Sequence, residues 1–218
     1  MTEEHRNGAQ AKPEAPELDV PEFEVPELDA PEPDVIGEKS RLRSLCSTIA
    51  PTTPDESTRI TSTIREVLSR HDWAVVLTFM AMPGEVELEG LREIPDLSLA
   101  VTRTPASGPL TIHALEEPLE RHPFGYQQPG ADAAPIDPGT IDVVLVPGLL
   151  FARNGGRLGH GRGYYDTLLS SINPRPYLIG VTLDRRVVDR LPMTDHDVWV
   201  DSVATETGFR ESVGMRGR

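Results

Sequence analysis

Ile141-Asp142-Val143-Val144-Leu145-Val146 is an almost unbroken run of β-favouring apolar residues, and Pro147-Gly148 follows it directly. Then comes Gly155-Gly156-Arg157-Leu158-Gly159-His160-Gly161-Arg162-Gly163-Tyr164-Tyr165-Asp166, and an apolar helical pattern extends from Tyr164 to Ile172. The run predicts a strand buried on both faces, and the later pattern predicts a helix. Between them lie Gly148, Gly155, Gly156, Gly159, Gly161 and Gly163, with Arg153, Arg157, His160 and Arg162 interspersed. Glycine lets backbone come close to a ligand. Arginine supplies forked donors matched to phosphate oxygens, and a helix N-terminus offers unpaired N–H groups to an anion. Strand, glycine-rich basic loop and helix together predict a phosphate cradle in an α/β protein.

Working outward, the same alternation of strands and helices recurs. Glu38 to Ala50 reads as a helix with Leu42, Leu45 and Ile49 on one face. Thr53-Pro54-Asp55-Glu56 is a helix start, with an N-cap, a proline and two acids in the first turn, and that helix runs to about Arg70. Trp73 to Met80, Leu97 to Arg103, Leu110 to Leu115, Pro176 to Leu183 and Val198 to Ala204 read as strands, and Asp184 to Leu191 as a short helix. Pro105 to Pro138 holds seven prolines and reads as a long irregular connection. The pattern predicts a largely parallel sheet with helices on both faces.

Charge divides the chain. Of the net −14, residues 1–37 carry −9, in a tail where Pro16, Pro21, Pro26 and Pro31 open a five-residue acidic repeat. Prolines at that spacing and self-repelling carboxylates predict a disordered, extended arm, either solubilising or a docking motif for an unidentified partner. Residues 208–218 contain few apolar side chains and read as a frayed end. The acidic balance speaks against nucleic acid as a partner. No apolar run reaches the ~20 residues that span a bilayer. With one cysteine, Cys46, and an acidic start without an apolar stretch behind it, a cytoplasmic location is expected.

Several residues admit two readings. Glu85 and Glu87, in Met82-Pro83-Gly84-Glu85-Val86-Glu87 after the first strand, either face a ligand at the carboxyl ends of the strands or belong to a solvated loop. Gly125-Tyr126-Gln127-Gln128-Pro129-Gly130 either lines a pocket or is a plain turn. Asp195, His196 and Asp197 resemble metal ligands and equally a solvated turn. The G-x-x-x-x-G-K-S/T and G-x-G-x-x-G fingerprints do not occur at the central loop.

A narrower pattern does occur there. Pro147-Gly148 and Phe151, followed by Gly156-Arg157-Leu158-Gly159, Gly161-Arg162-Gly163-Tyr164-Tyr165-Asp166, resemble the signature of the 5-formyltetrahydrofolate cyclo-ligases. Lys39 with Leu42-Arg43, Met82 with Glu85-Val86-Glu87, Gln128-Pro129, and Leu191-Pro192 through His196-Asp197 to Val200-Asp201 are similar to further family segments, in the same order over residues 38–207. Differences fall at Thr167, His160 and Thr102-Arg103-Thr104-Pro105.

The resemblance implies a single catalytic domain of three α/β/α layers, of the NagB/RpiA/CoA-transferase-like type, in which ATP, Mg²⁺ and a reduced folate meet. It implies ATP binding by Lys39, Arg43, Arg157, Gly159, His160, Gly161, Arg162, Gly163, Tyr164 and Asp166. Substrate binding is implied for Met82, Glu85, Gln128 and Tyr165, catalysis for Arg162, Tyr164 and Tyr165, and Mg²⁺ ligation for Asp166 and Asp197. The activity implied is ATP-dependent closure of 5-formyltetrahydrofolate to 5,10-methenyltetrahydrofolate. A non-catalytic nucleotide or folate binder and another small-molecule phosphoryl-transfer enzyme are the alternatives.

Overall fold

The computed structural model describes residues 34–213 apart from Glu117. Residues 1–33, which hold all but the end of the acidic repeat, and the last five residues lie outside the described residues. Helix α1, Val35–Cys46, starts where the Asp34 side chain accepts a hydrogen bond from the Gly37 amide at 3.0 Å. This start is three residues earlier than the sequence pattern suggests, because Asp34 is the first residue able to cap it. Helix α2, Pro54–Leu68, opens with the reciprocal cap between Thr53 and Glu56. The Thr53 hydroxyl accepts from the Glu56 amide, and the Glu56 carboxylate accepts from the Thr53 amide.

The strands follow as β1 Val75–Thr78, β2 Ser98–Arg103, β3 Thr111–Ala114, β4 Leu119–Arg121, β5 Gln127–Pro129, β6 Val143–Pro147, β7 Leu150–Ala152 and β8 Arg157–Leu158. Helix α3 is Tyr164–Ser171, and β9 Tyr177–Val181, β10 Val187–Val188, β11 Ser202–Thr205 and β12 Gly208–Glu211 complete the chain. Seven of them form one sheet in the order β12-β11-β9-β6-β1-β2-β3. The five inner strands are parallel, and β3 and β12 are antiparallel to their neighbours.

Alternate residues of the inner strands face opposite ways, as a pleat requires. Val143, Leu145, Ile179 and Val181 pack on one face with Ile60, Ile64, Val67 and Leu68 of α2. Val144, Val146 and Leu178 pack on the other with Leu168, Leu169 and Ile172 of α3 and its C-terminal end. The sheet is therefore the middle of three layers. Residues 143–146 read as a continuous apolar run because both faces of β6 are covered.

A second, three-stranded sheet, β10-β7-β8, sits beyond the end of β6. One side of it packs on α1 through Leu42, Cys46, Leu150, Ala152, Leu158 and Val188. Phe151 points the other way, into the core beneath α3. The glycine-rich stretch is thus no plain loop, since it folds back as a β7–β8 hairpin before reaching α3.

Three other expectations are corrected. Asp184 to Leu191 is not a helix but a 3-10 turn, Asp184–Arg186, followed by β10, because the β-branched pair Val187-Val188 adds to the edge of β7. Residues 208–211 are not frayed: β12 pairs with β11 from Ser202↔Glu211 to Thr205↔Gly208. The proline-rich connection contains an antiparallel hairpin, β4–β5. Among the described residues, no helix is long and apolar enough to cross a membrane.

The ring of Phe151 locks the two sheets together. A Cβ placed on Gly148 would lie 2.7 Å from its Cε2, and one on Gly180 of β9 would overlap the opposite ring edge. Gly180→Ala therefore forces overpacking at a fully buried aromatic, and a loss of about 1–3 kcal/mol is expected. Chemical denaturation should report this as a lower midpoint with an unchanged slope.

Candidate active site

At the carboxyl ends of the parallel strands, where open α/β sheets bind ligands, lies a cavity of about 570 Å³. Part of its wall is cationic. Lys39 and Arg43 reach it from α1, and Arg157, His160 and Arg162 from the glycine-rich segment. Another part is apolar and aromatic, with Phe79 and Met80 after β1, Leu110 before β3, and Phe124 and Tyr126 from the β4–β5 hairpin. Glu85, Thr102, Tyr164 and Tyr165 lie on the wall as well.

The loop entering α3 is held by specific bonds. Arg43 donates through Nε to the Gly159 carbonyl at 2.9 Å, and its guanidinium packs so close to Gly161 that a Cβ there would sit 3.0 Å from Cζ. Gly161 also has φ of +91°, so glycine is required twice over. Gly163 caps α3 in the left-handed region with φ of +68° and provides no side-chain acceptor. The first amides of α3 consequently keep their donors free of any side-chain cap, beside three arginines. That is the electrostatics of an anion site.

Each acid in the cavity has a partner. Arg157, almost fully buried, donates from Nη2 to Asp166 Oδ1 at 2.8 Å and from Nη1 to the Pro147 carbonyl at 3.3 Å. Lys39 Nζ stands 2.5 Å from Asp197 Oδ2, which also accepts from the amide and hydroxyl of Thr194. Burial pushes the Asp197 pKa up, but the donors from Lys39 and Thr194 outweigh it and leave the group below its ordinary value. Glu85 accepts from the Met82 amide at 2.9 Å and lies 3.8 Å from His160 Nε2. Burial raises the Glu85 pKa, against the pull of the Met82 amide and of Arg186. Burial also carries the Tyr165 phenol well above its ordinary range, despite a hydrogen bond to Thr102.

The family model described as the 5-formyltetrahydrofolate cyclo-ligase family matches residues 38–206. The chain belongs to this family. It is similar to 5-formyltetrahydrofolate cyclo-ligase of Mus musculus, 32% identical over 95 residues that cover 40% of this chain and 47% of that protein. It is likewise similar to the enzyme of the same name from Mycolicibacterium smegmatis, 37% identical over 83 residues covering 38% and 43%. The chain thus spans less than half the length of these curated relatives in the matched stretches. Among solved structures, Aquifex aeolicus 5,10-methenyltetrahydrofolate synthetase superposes with a TM-score of 0.69 at 26% identity, covering 83% of this chain and 95% of that one.

Within this cyclo-ligase-family fold, the residues to which the family resemblance assigns a site role converge, with one exception, whereas Arg153, Glu87, Asp195 and His196 lie off the cavity wall. Lys39, Arg43, Met82, Glu85, Arg157, Gly159, His160, Gly161, Arg162, Gly163, Tyr164, Tyr165, Asp166 and Asp197 all line the cavity. Gln128 is not on its wall. It is buried in β5, accepting from the Thr104 amide and donating to Glu120, so it braces the hairpin. The sequence left Tyr126 open between pocket wall and plain turn, and gave no pocket role to Phe124, Thr102 or Thr104. The signal for the aromatic pair was the Phe-Gly-Tyr spacing, in which Gly125 takes φ of +94° and lets both rings turn to the same side of the hairpin.

The donor set also limits the metal. Among the described residues no group of three or more His, Cys, Asp or Glu side chains is placed to hold an ion. Asp166 and Asp197 supply two carboxylates on one cavity, which fits a Mg²⁺ whose remaining ligands are phosphate oxygens and water.

His160 gives a direct electrostatic readout. Burial, then the charges of Arg157, Arg43 and Arg186, lower its pKa from 6.5, so the imidazole is neutral at pH 7. Its NMR titration in the free protein should have a midpoint below that of a free histidine, and the midpoint should rise when a triphosphate screens the arginines. An unshifted titration would contradict this account.

Proposed function

We propose that the chain catalyses ATP-dependent conversion of 5-formyltetrahydrofolate to 5,10-methenyltetrahydrofolate, releasing ADP and phosphate. The observation carrying this reading is that one cavity joins a cationic glycine loop to an aromatic compartment. Triphosphate and reduced pterin can then lie end to end without water between them.

In the first step the formyl oxygen attacks the γ-phosphorus. The bond from phosphorus to the bridging oxygen breaks, and ADP leaves. In the second, the nitrogen at position 10 attacks the activated formyl carbon and loses its proton. The bond from that carbon to the phosphorylated oxygen breaks, and phosphate departs with the oxygen. Such chemistry asks chiefly for alignment and charge neutralisation.

Lys39, Arg43 and Arg162, with the Gly159 to Gly163 backbone and the first amides of α3, hold the phosphates. Arg157 is committed to Asp166 and Pro147, so it keeps the loop in shape and contributes charge at a distance. His160 borders the phosphates as a neutral donor or acceptor. Mg²⁺, held by Asp166 and Asp197, would neutralise charge on the bound phosphates. Met82 and Glu85 receive the pterin, with Phe124 and Tyr126 against its faces. Tyr164 and Tyr165 border the formyl group, and Tyr165 stays a protonated donor at any working pH.

Methenyltetrahydrofolate absorbance should grow when folded protein meets 5-formyltetrahydrofolate, ATP and Mg²⁺. Ligand-dependent thermal stabilisation without that absorbance would instead identify a binder. Among the described residues Arg162 has only a ring contact of 5.2 Å to Phe124, so it is free to exchange that contact for phosphate. Arg162→Ala should raise KM for ATP by roughly tenfold to a hundredfold, the loss of one charge-assisted hydrogen bond, with a much smaller change for the folate. The reverse pattern would reject the phosphate role.

A further inference from the structure

A second hollow, of about 20 Å³, shares Glu85 with the wall of the large cavity. Glu85, Thr182 and Arg186 are in its wall, together with Gly84, Pro147 and Gly148. Arg186 belongs to the 3-10 turn after β9, and Thr182 immediately follows β9. Both carry a buried polar atom without a hydrogen-bond partner, Nε of Arg186 and Oγ1 of Thr182. A buried guanidinium N–H left unpaired is costly. A polar hollow of this size holds one water, which needs two to four polar partners.

We propose that Arg186 is a positioning residue for Glu85, holding its carboxylate through one water in the hollow both line, so that Glu85 remains an acceptor for the N–H groups of the reduced folate ring. This rests on the reading that Glu85 receives the folate. Water links polar groups that are too far apart for direct contact almost as well as a direct hydrogen bond. Thr182 supplies the water's further anchor. The groups facing Glu85 are the Met82 amide from its own loop, His160 from the glycine segment, Tyr165 from α3 and Arg186 from the turn. With His160 neutral, Arg186 is the cation among these four that opposes the effect of burial on Glu85.

The sign follows from those groups. Burial raises the Glu85 pKa and Arg186 lowers it, so removing Arg186 raises it further. Folate binding that needs the carboxylate then fails at a higher pH than in the native protein.

The test compares Arg186→Gln, Arg186→Lys and Glu85→Gln, with KM for each substrate and the pH profile of kcat/KM for 5-formyltetrahydrofolate. Arg186→Gln should raise the folate KM about tenfold and leave the ATP KM within about twofold, the loss of one charge-assisted link. It should also move the acid limb to higher pH. Arg186→Lys should restore the limb, and Arg186→Gln should add nothing in a Glu85→Gln background. Equal rises in both KM values, an unmoved acid limb, or an additive effect with Glu85→Gln would overturn the proposal. If Glu85→Gln itself binds folate like the native protein, the folate role of Glu85 falls and this proposal with it. If Glu85→Gln weakens folate binding and Arg186→Gln does not, the proposal alone falls. Should Arg186→Gln not fold, Thr182→Val decides: a folate KM raised about threefold with the ATP KM unchanged supports the water link, and an unchanged folate KM overturns it.

Discussion

The pair formed by buried Arg157 and half-buried Asp166 is the constraint on which the site depends. Arg157 comes from the small sheet and Asp166 from the first turn of α3, so their bond fixes the spacing of the glycine segment between them. Asp166 Oδ1 also accepts from the Val198 amide at 3.2 Å, which brings the C-terminal loop to the same point. Losing Asp166 would leave the buried Arg157 guanidinium uncompensated, a far larger penalty than the pair's own net contribution. The pair accordingly does more for the shape of the cradle than for the stability of the fold.

Charge pairing governs ligand access in the same way. Before any anion arrives, Lys39 is satisfied by Asp197, and Arg43 by a backbone carbonyl. On the proposed function, an incoming triphosphate would exchange these internal partners for its own oxygens, and a divalent cation would take over Asp197 as Lys39 leaves it, while Asp166 Oδ1 stays with Arg157. Affinity is then the difference between two well-paired states, which makes it sensitive to ionic strength and to the cation supplied.

Much of this was legible in the residues. The two-sided apolar run at 141–146, the helix start at Thr53-Pro54 and the glycine-arginine string each carry a local rule, and each appears where that rule puts it. Arg157, His160 and Arg162 were named in advance from the glycine-rich string itself, and Lys39, Arg43, Met82 and Asp166 through the family resemblance. What was not legible depended on long-range pairing. Val187-Val188 became a strand because an edge of β7 was waiting for it, and Gly208 to Glu211 because β11 needed a neighbour. Gln128 looked like a ligand residue from its turn, but pairing across the hairpin turned it inward. Arg186 carried no local signal at all. Its position beside Glu85 arises only when the turn after β9 meets the loop after β1.

The short last strand has a consequence for how this chain can be cut. All four residues of β11 are buried, and β12 covers its outer backbone edge. Trimming the chain at the end of the family-matched region, near residue 206, would bare a row of unpaired amides and carbonyls on β11. Such an edge recruits other chains. The piece that sequence similarity marks out as the unit therefore stops short of β12, Gly208–Glu211, the strand that borders the sheet on this side.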